Sequence, residues 1–150
     1  ALAGGQVVST LATFFAAART QLLTASGAIL SEETIHTIQT SGRSPRHLEF
    51  AIGRTSETPR PGPQKVSVGL PITAEVLVIA AYQLRPKDRA TSLDSAETYA
   101  ASLRSALLAS GWLSTTGAIV TFVGSDIAAG PDGWLWITGK YLVSLTADLS

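Results

Sequence analysis

The chain has 150 residues, and its eleven basic side chains balance eleven acidic ones with no cysteine present. These totals exclude a disulfide framework and a thiolate metal site, and they remove the global attraction to phosphate on which nucleic-acid-binding domains rely. Apolar residues make up 45% and charged residues only 15%, against a usual charged share of ~25%, so one domain with adhesive, self-associating surfaces is expected.

In chain order, Val7, Leu11, Phe14, Phe15, Ala18 and Leu22 recur at helical spacing. They predict a helix from about Gln6 to Thr24, with Gly27 beyond its end. The outer face carries Ser9, Thr10, Thr13, Arg19 and Thr20, nearly uncharged for a solvated surface. This opening lacks the basic start of a secretory leader. Methionine is absent throughout; removal of an initiator before Ala1 would leave such a chain, and an intracellular protein is expected. Glu33–Thr40 then alternates weakly and His47–Gly53 alternates well, with Leu48, Phe50 and Ile52 on one side and His47, Glu49 and Ala51 on the other. With "SGRSP" as the turn, these two segments are expected to form a hairpin.

Next comes "RTSETPRPGPQK", Arg54–Lys65, with three prolines and no large apolar side chain. Prolines at 59, 61 and 63 favour extended conformations, so this loop is expected to project as a stiff arm reaching on the order of 35 Å at ~3.1 Å per residue. Beyond it, Ile72, Ala74, Val76, Val78, Ala80, Tyr82 and Leu84 share one strand face, while Leu77, Ile79 and Ala81 keep the other apolar. Such a strand is central or meets another subunit, and Pro71 marks its start or a bulge. Its apolar run Val76–Tyr82 is far below the ~20 residues of a membrane span.

Asp94 and Glu97 resemble a capping box that opens a second helix ending near Ser110. Leu93, Ala96, Tyr99 or Ala100, Leu103 and Leu107 form its inner stripe, with Gly111 as the terminating residue. Ala118–Gly124 reads as a short strand, "SDIAAGPDG" as a loop with a Pro-Asp-Gly turn, and Trp134–Ala147 as a last long strand. Leu135, Ile137, Tyr141, Val143 and Leu145 take one face of that strand; Trp134, Trp136, Thr138 and Lys140 take the other. The order predicts an α+β, two-layer domain spanning residues 1–150, with a mostly antiparallel sheet and helices packed on one face.

No reaction chemistry emerges from the pattern. His36 and His47 lack metal-ligand spacing, and no GxSxG, GxGxxG or GxxxxGK[ST] motif occurs. Asp126 and Asp132 flank a loop and read as solvated turn residues. No catalytic residue, metal ligand or cofactor is assigned, and the chain is not expected to be an enzyme. Two basic groups stand out instead: Arg54, Arg60 and Lys65 in the proline loop, and Arg85, Lys87 and Arg89 in the next one. Trp112, Trp134 and Trp136 lie at element edges, and tryptophan is enriched at binding hot spots.

The second half combines a long apolar strand, "ITAEVLVIAAY", a polar loop and amphipathic helix, "LRPKDRATSLDSAETYAASLRSALL", and two closing strands in "AIVTFVGSDIAAGPDGWLWITGKYLVSLTADL". With the opening helix, this order resembles the tail terminator (tail completion) proteins of long-tailed bacteriophages and related gene-transfer particles. The resemblance implies a virion protein, assembled in the host cytoplasm into a homohexameric ring at the head-proximal end of the tail. Such a ring stops polymerisation of the major tail tube protein, meets a neck or head-completion protein, and lets DNA pass. On this reading Arg54, Pro59, Arg60, Pro61, Pro63 and Lys65, with Trp134 and Trp136, are the expected contacts with a neighbouring subunit or tail ring. Arg85, Lys87 and Arg89 are the expected lumen residues. The alternatives are another neck component, a head–tail connector or stopper, and a small-ligand-binding or enzymatic α+β domain built around a polar pocket.

Overall fold

The computed structural model describes residues 11–59, 70–85, 87–109, 111–112 and 117–147. Helix α1 (Leu11–Leu22) leads into strands β1 (Ile29–Leu30), β2 (Glu49–Pro59) and β3 (Leu70–Gln83); helix α2 (Arg89–Leu108) and strands β4 (Ile119–Ala129) and β5 (Trp134–Ala147) follow. The strands form one sheet in the order β1-β2-β3-β5-β4. Only the short β1–β2 pairing is parallel. The fold is thus α+β, with both helices on one face.

Alternation in β3 and β5 builds the main core. Val76 and Val143 are fully buried and Ile72 nearly so, packed against Phe14 and Leu22 of α1 and Leu103 and Leu107 of α2. The odd residues of β3 point to the reverse face, where Ile79 and Ala51 form a second cluster with Ile35 and Ile38. The apolar second face of β3 is therefore partly covered by the chain's own 31–48 segment.

Four sequence expectations are corrected. Glu33–Thr40 is a run of turns, not a hairpin strand. Its threonines bond locally: the Thr34 N–H donates to Thr37 Oγ1 at 3.0 Å, the His36 N–H donates to Thr34 Oγ1 at 3.2 Å, and the Ile38 N–H donates to the Thr34 carbonyl at 2.8 Å. Hydroxyls placed this way offer the backbone an alternative to a ladder, and the resulting turn puts Ile35 and Ile38 on one side. Second, the arm does not begin at Arg54. Residues 54–59 continue β2 and pair with Ile72–Val76, leaving Pro59 at a strand end where its missing N–H is tolerated.

Third, α2 starts at Arg89, so Asp94 and Glu97 lie inside the helix and cap nothing. Its buried stripe runs Ser92, Ala96, Tyr99, Leu103 and Leu107, while Leu93 is 45% exposed. Ser92 is tolerated inside because its Oγ accepts the Arg85 N–H at 3.3 Å. The helix ends at Leu108 with Ala109 as its C-cap, so Gly111 lies beyond the cap. Fourth, β4 extends to Ala129 through a register shift between Phe122 and Gly124, which converts half of the expected loop into strand. The Pro131–Gly133 turn stands as read, with Asp132 and Gly133 at φ of 61° and 78°.

Candidate interaction site

The most built feature outside the core is polar. Glu49 opens β2 on the reverse face with its side chain fully buried. Arg43 Nη2 donates to both of its carboxylate oxygens, at 3.0 and 2.9 Å, and Arg46 Nε donates to Oε1 at 3.1 Å. Arg46 also donates to the Leu30 carbonyl at 3.2 Å. A buried carboxylate needs such pairing, and the bonds to Glu49, with that carboxylate's charge, raise the Arg43 pKa above its ordinary value. The clamp fixes the 31–48 segment across one end of the reverse face.

That segment forms one wall of a cleft of about 260 Å³. Ile38, Arg43 and Pro45 stand on one side; Pro131, Asp132, Trp134 and Trp136 stand on the other. Trp136 packs on the second cluster and lies against Gly130, where an added Cβ would come within 2.6 Å of the indole Nε1. Among the described residues neither the Trp134 nor the Trp136 indole N–H has a hydrogen-bond partner, and Asp132 makes no ion pair. The cleft is therefore lined by tryptophan and proline side chains and by a carboxylate without an ion pair among the described residues.

The expected site residues separate to opposite ends of the sheet. Trp134 pairs with Gln83 and Trp136 with Ala81. The Arg85–Arg89 loop adjoins them, because the Leu84 N–H donates to the Gly133 carbonyl at 2.8 Å. Arg85, Lys87 and Arg89 are exposed there. Pro59 pairs with Ile72 at the far end. Arg54 is ion-paired with Glu57 across the bulge at Thr55, so its charge is not free. Arg60, Pro61, Pro63 and Lys65 lie outside the described residues.

Both histidines have local roles. The His36 N–H is tied to Thr34. His47 Nδ1 accepts the Gln83 N–H at 3.1 Å, and its ring meets Tyr82 edge-on at 4.6 Å. Among the described residues no group of three or more His, Asp or Glu could hold a metal ion, and no helix is long and apolar enough to cross a membrane.

Beyond the clamp the reverse face carries exposed apolar side chains. Ile119 and Leu142 are diagonal neighbours on it, 66% and 39% exposed, and Val123 at the β4 bulge is 52% exposed. Between them and β2 run a Lys140–Glu75 ion pair at 3.4 Å and a Thr73–Ser144 hydroxyl contact at 3.4 Å. The outer side of β4 pairs with no strand among the described residues.

The sequence reading missed the clamp and the cleft. A signal for the clamp was present: arginines at 43 and 46, each three residues before the next charge, lead to a lone Glu49 within an alternating apolar strand. No family model matches the chain, and no curated protein matches it.

Proposed function

We propose that this chain is a ring-forming structural subunit at the head-proximal end of a phage-like tail, where it ends tube polymerisation and joins the tail to the neck. The observation that carries the reading is the apolar margin of Ile119, Val123 and Leu142 beside the eleven-residue edge of β4, which pairs with no strand among the described residues. Long uncovered edges invite pairing with another chain, and folded proteins usually blunt or cover them. Here a neighbouring copy covers it. The two ends of the sheet order, β1–β2 and β4, are unlike, so joining one to the other is head-to-tail, and head-to-tail contacts build rings where the rotation closes and filaments where it does not.

The element order and the net charge of zero support the same reading. In the assembled ring Arg85, Lys87 and Arg89 face the passing DNA, and the tail tube protein and a neck protein take the two rims. The chain performs no catalysis. Sedimentation velocity and negative-stain imaging test the proposal: a six-fold ring with a central hole is expected. Ile119→Lys with Leu142→Lys should abolish the ring and leave circular dichroism unchanged. Neutralising the three basic residues should alter DNA passage and leave assembly intact. A monomer at every concentration, alone and with tail tubes, overturns the reading.

A further inference from the structure

We propose that the cleft between Pro45 and the Trp134–Trp136 strand is the receptor for the proline-rich segment, residues 59–65, of a second copy of this chain. The inference rests on the ring-forming reading and names a second contact, besides the β4 edge, between one subunit and the next.

Three observations carry it. The first is chemical. Proline-rich segments are recognised by grooves lined with aromatic side chains, because the extended proline backbone loses little entropy on docking and presents carbonyls to donors on the groove wall. Trp134 and Trp136 supply the aromatic surface, and their indole N–H groups have no partner among the described residues. A tryptophan N–H taken out of water ordinarily finds an acceptor. The sequence holds one segment of matching type, Pro59-Arg60-Pro61-Gly62-Pro63-Gln64-Lys65.

The second is charge. Asp132 lines the cleft without an ion pair among the described residues. Arg43, the cation already in the cleft, is held by Glu49 and Glu33. The incoming segment carries Arg60 and Lys65 and no acid. One of these cations meets Asp132.

The third is reach, and it decides which copy supplies the segment. Pro59 pairs with Ile72, whereas Trp136 pairs with Ala81, nine residues further along β3. At ~3.3 Å per residue the cleft lies roughly 30 Å from the root of the segment. Residues 60–69 must leave β2 and return to β3, so half of them set the reach, about 17 Å at full extension. The segment cannot enter its own chain's cleft. Donor and receptor at opposite ends of one subunit make a contact that is not self-complementary, the kind that builds rings or filaments.

The test combines two measurements on the full-length protein. In the first, a fluorescein-labelled peptide of residues 58–65, TPRPGPQK, is titrated with dilute protein and followed by anisotropy. Saturable binding is expected, weakened at least about tenfold by Trp136→Ala or by replacing the peptide's prolines with alanine, and about threefold by Asp132→Asn with a matching fall in salt dependence. In the second, Pro61→Ala with Pro63→Ala is compared with wild type in a sedimentation concentration series. An association midpoint at least about tenfold higher is expected. Peptide binding by a protein that stays monomeric at every concentration overturns the second copy as occupant, and the ring with it, leaving only a proline-reading cleft. A ring whose midpoint is unmoved by the proline changes, with no peptide binding, overturns the cleft proposal and leaves the ring reading standing. Equal binding of the alanine-substituted peptide also overturns it, since the cleft then does not read proline.

Discussion

On the helix side of the sheet Phe50, Val76 and Val143 have no exposed surface, while on the reverse side Leu142, the immediate neighbour of Val143, is 39% exposed and Ile119 is 66% exposed. Both faces come from the same strands and carry similar letters. The difference lies in what covers them. Two helices supply a continuous apolar layer over the first face. Over the second, among the described residues, lies the 31–48 segment, which places two isoleucines on Ala51 and Ile79 and is pinned by charge-assisted bonds to Glu49. Burial area holds the first layer, and a polar clamp holds the second.

The largest effect is expected where the helix layer meets the core. Phe14 is fully buried between Phe15 and Trp112, with ring centroids at 5.5 and 5.6 Å. Phe14→Ala should cost about 3–5 kcal/mol in urea unfolding. A loss below about 1 kcal/mol would mean that α1 does not seal this face.

Next comes the clamp. Arg43→Ala with Arg46→Ala leaves the buried Glu49 carboxylate without cations. Removing the cations strands an uncompensated buried charge, so the urea midpoint should fall clearly, by less than for Phe14→Ala because both guanidinium groups are partly exposed. Replacing all three residues by apolar ones should recover most of that loss. Equal destabilisation in the apolar triple variant would show that the clamp supplies net stability and not only pairing.

The two faces can then be compared within one strand. Val143→Ala should lose about 2 kcal/mol, from two buried methyl groups and the cavity left behind. Leu142→Ala should change the monomer by less than about 0.5 kcal/mol. Matching losses at both positions would erase the distinction between a closed face and an open one. A smaller contribution holds the start of β2: the Tyr99 hydroxyl donates to the Leu48 carbonyl at 2.7 Å, and burial drives its pKa up. Leu48 sits at φ 69°, and a Cβ on Gly27 would approach its Cδ1 to 2.6 Å. Tyr99→Phe leaves that carbonyl with only the Ile29 N–H and should cost about 1 kcal/mol.

The same contrast explains what could be read from the sequence. The faces of β3 and β5 were legible because period-two alternation is a covalent property of a strand. Glu33–Thr40 was misread because Thr and Ile suit strands as well as hydroxyl-bonded turns, and only the Thr34–Thr37 and Glu33–Thr37 bonds decide between them. The start of α2 was misplaced because Asp94 and Glu97 have capping spacing wherever they fall, whereas the helix begins where the Asp88 carbonyl accepts the Ser92 N–H at 2.8 Å. The lengths of β2 and β4 were set by partners, with β3 drawing residues 54–59 into the sheet and β5 doing the same for 125–129. Trp134 and Trp136 were singled out, but their cleft was not, since its other wall comes from residues 38–45 far away in sequence.

The smallest expected effect sharpens the comparison at the end of β3. His47 lies beside β3, its Nδ1 accepting the Gln83 N–H. Burial, with a contribution from Arg85, lowers its pKa from the ordinary 6.5. The unfolded chain therefore takes up this proton at higher pH than the folded chain. Between those two values the unfolded state binds more protons, so stability rises with pH there. It is intact above about pH 6.5, falls as the pH drops toward the folded value, and then levels off; protonation also removes the acceptor for Gln83. Because the ring is largely exposed, the loss should stay below about 0.5 kcal/mol. Measuring urea midpoints of wild type and His47→Gln from pH 7.5 to 5 isolates it, because other titrating groups cancel in the difference. Wild type should lose more than the variant across that range. Parallel curves would mean that the His47–Gln83 bond does not hold this edge of the sheet.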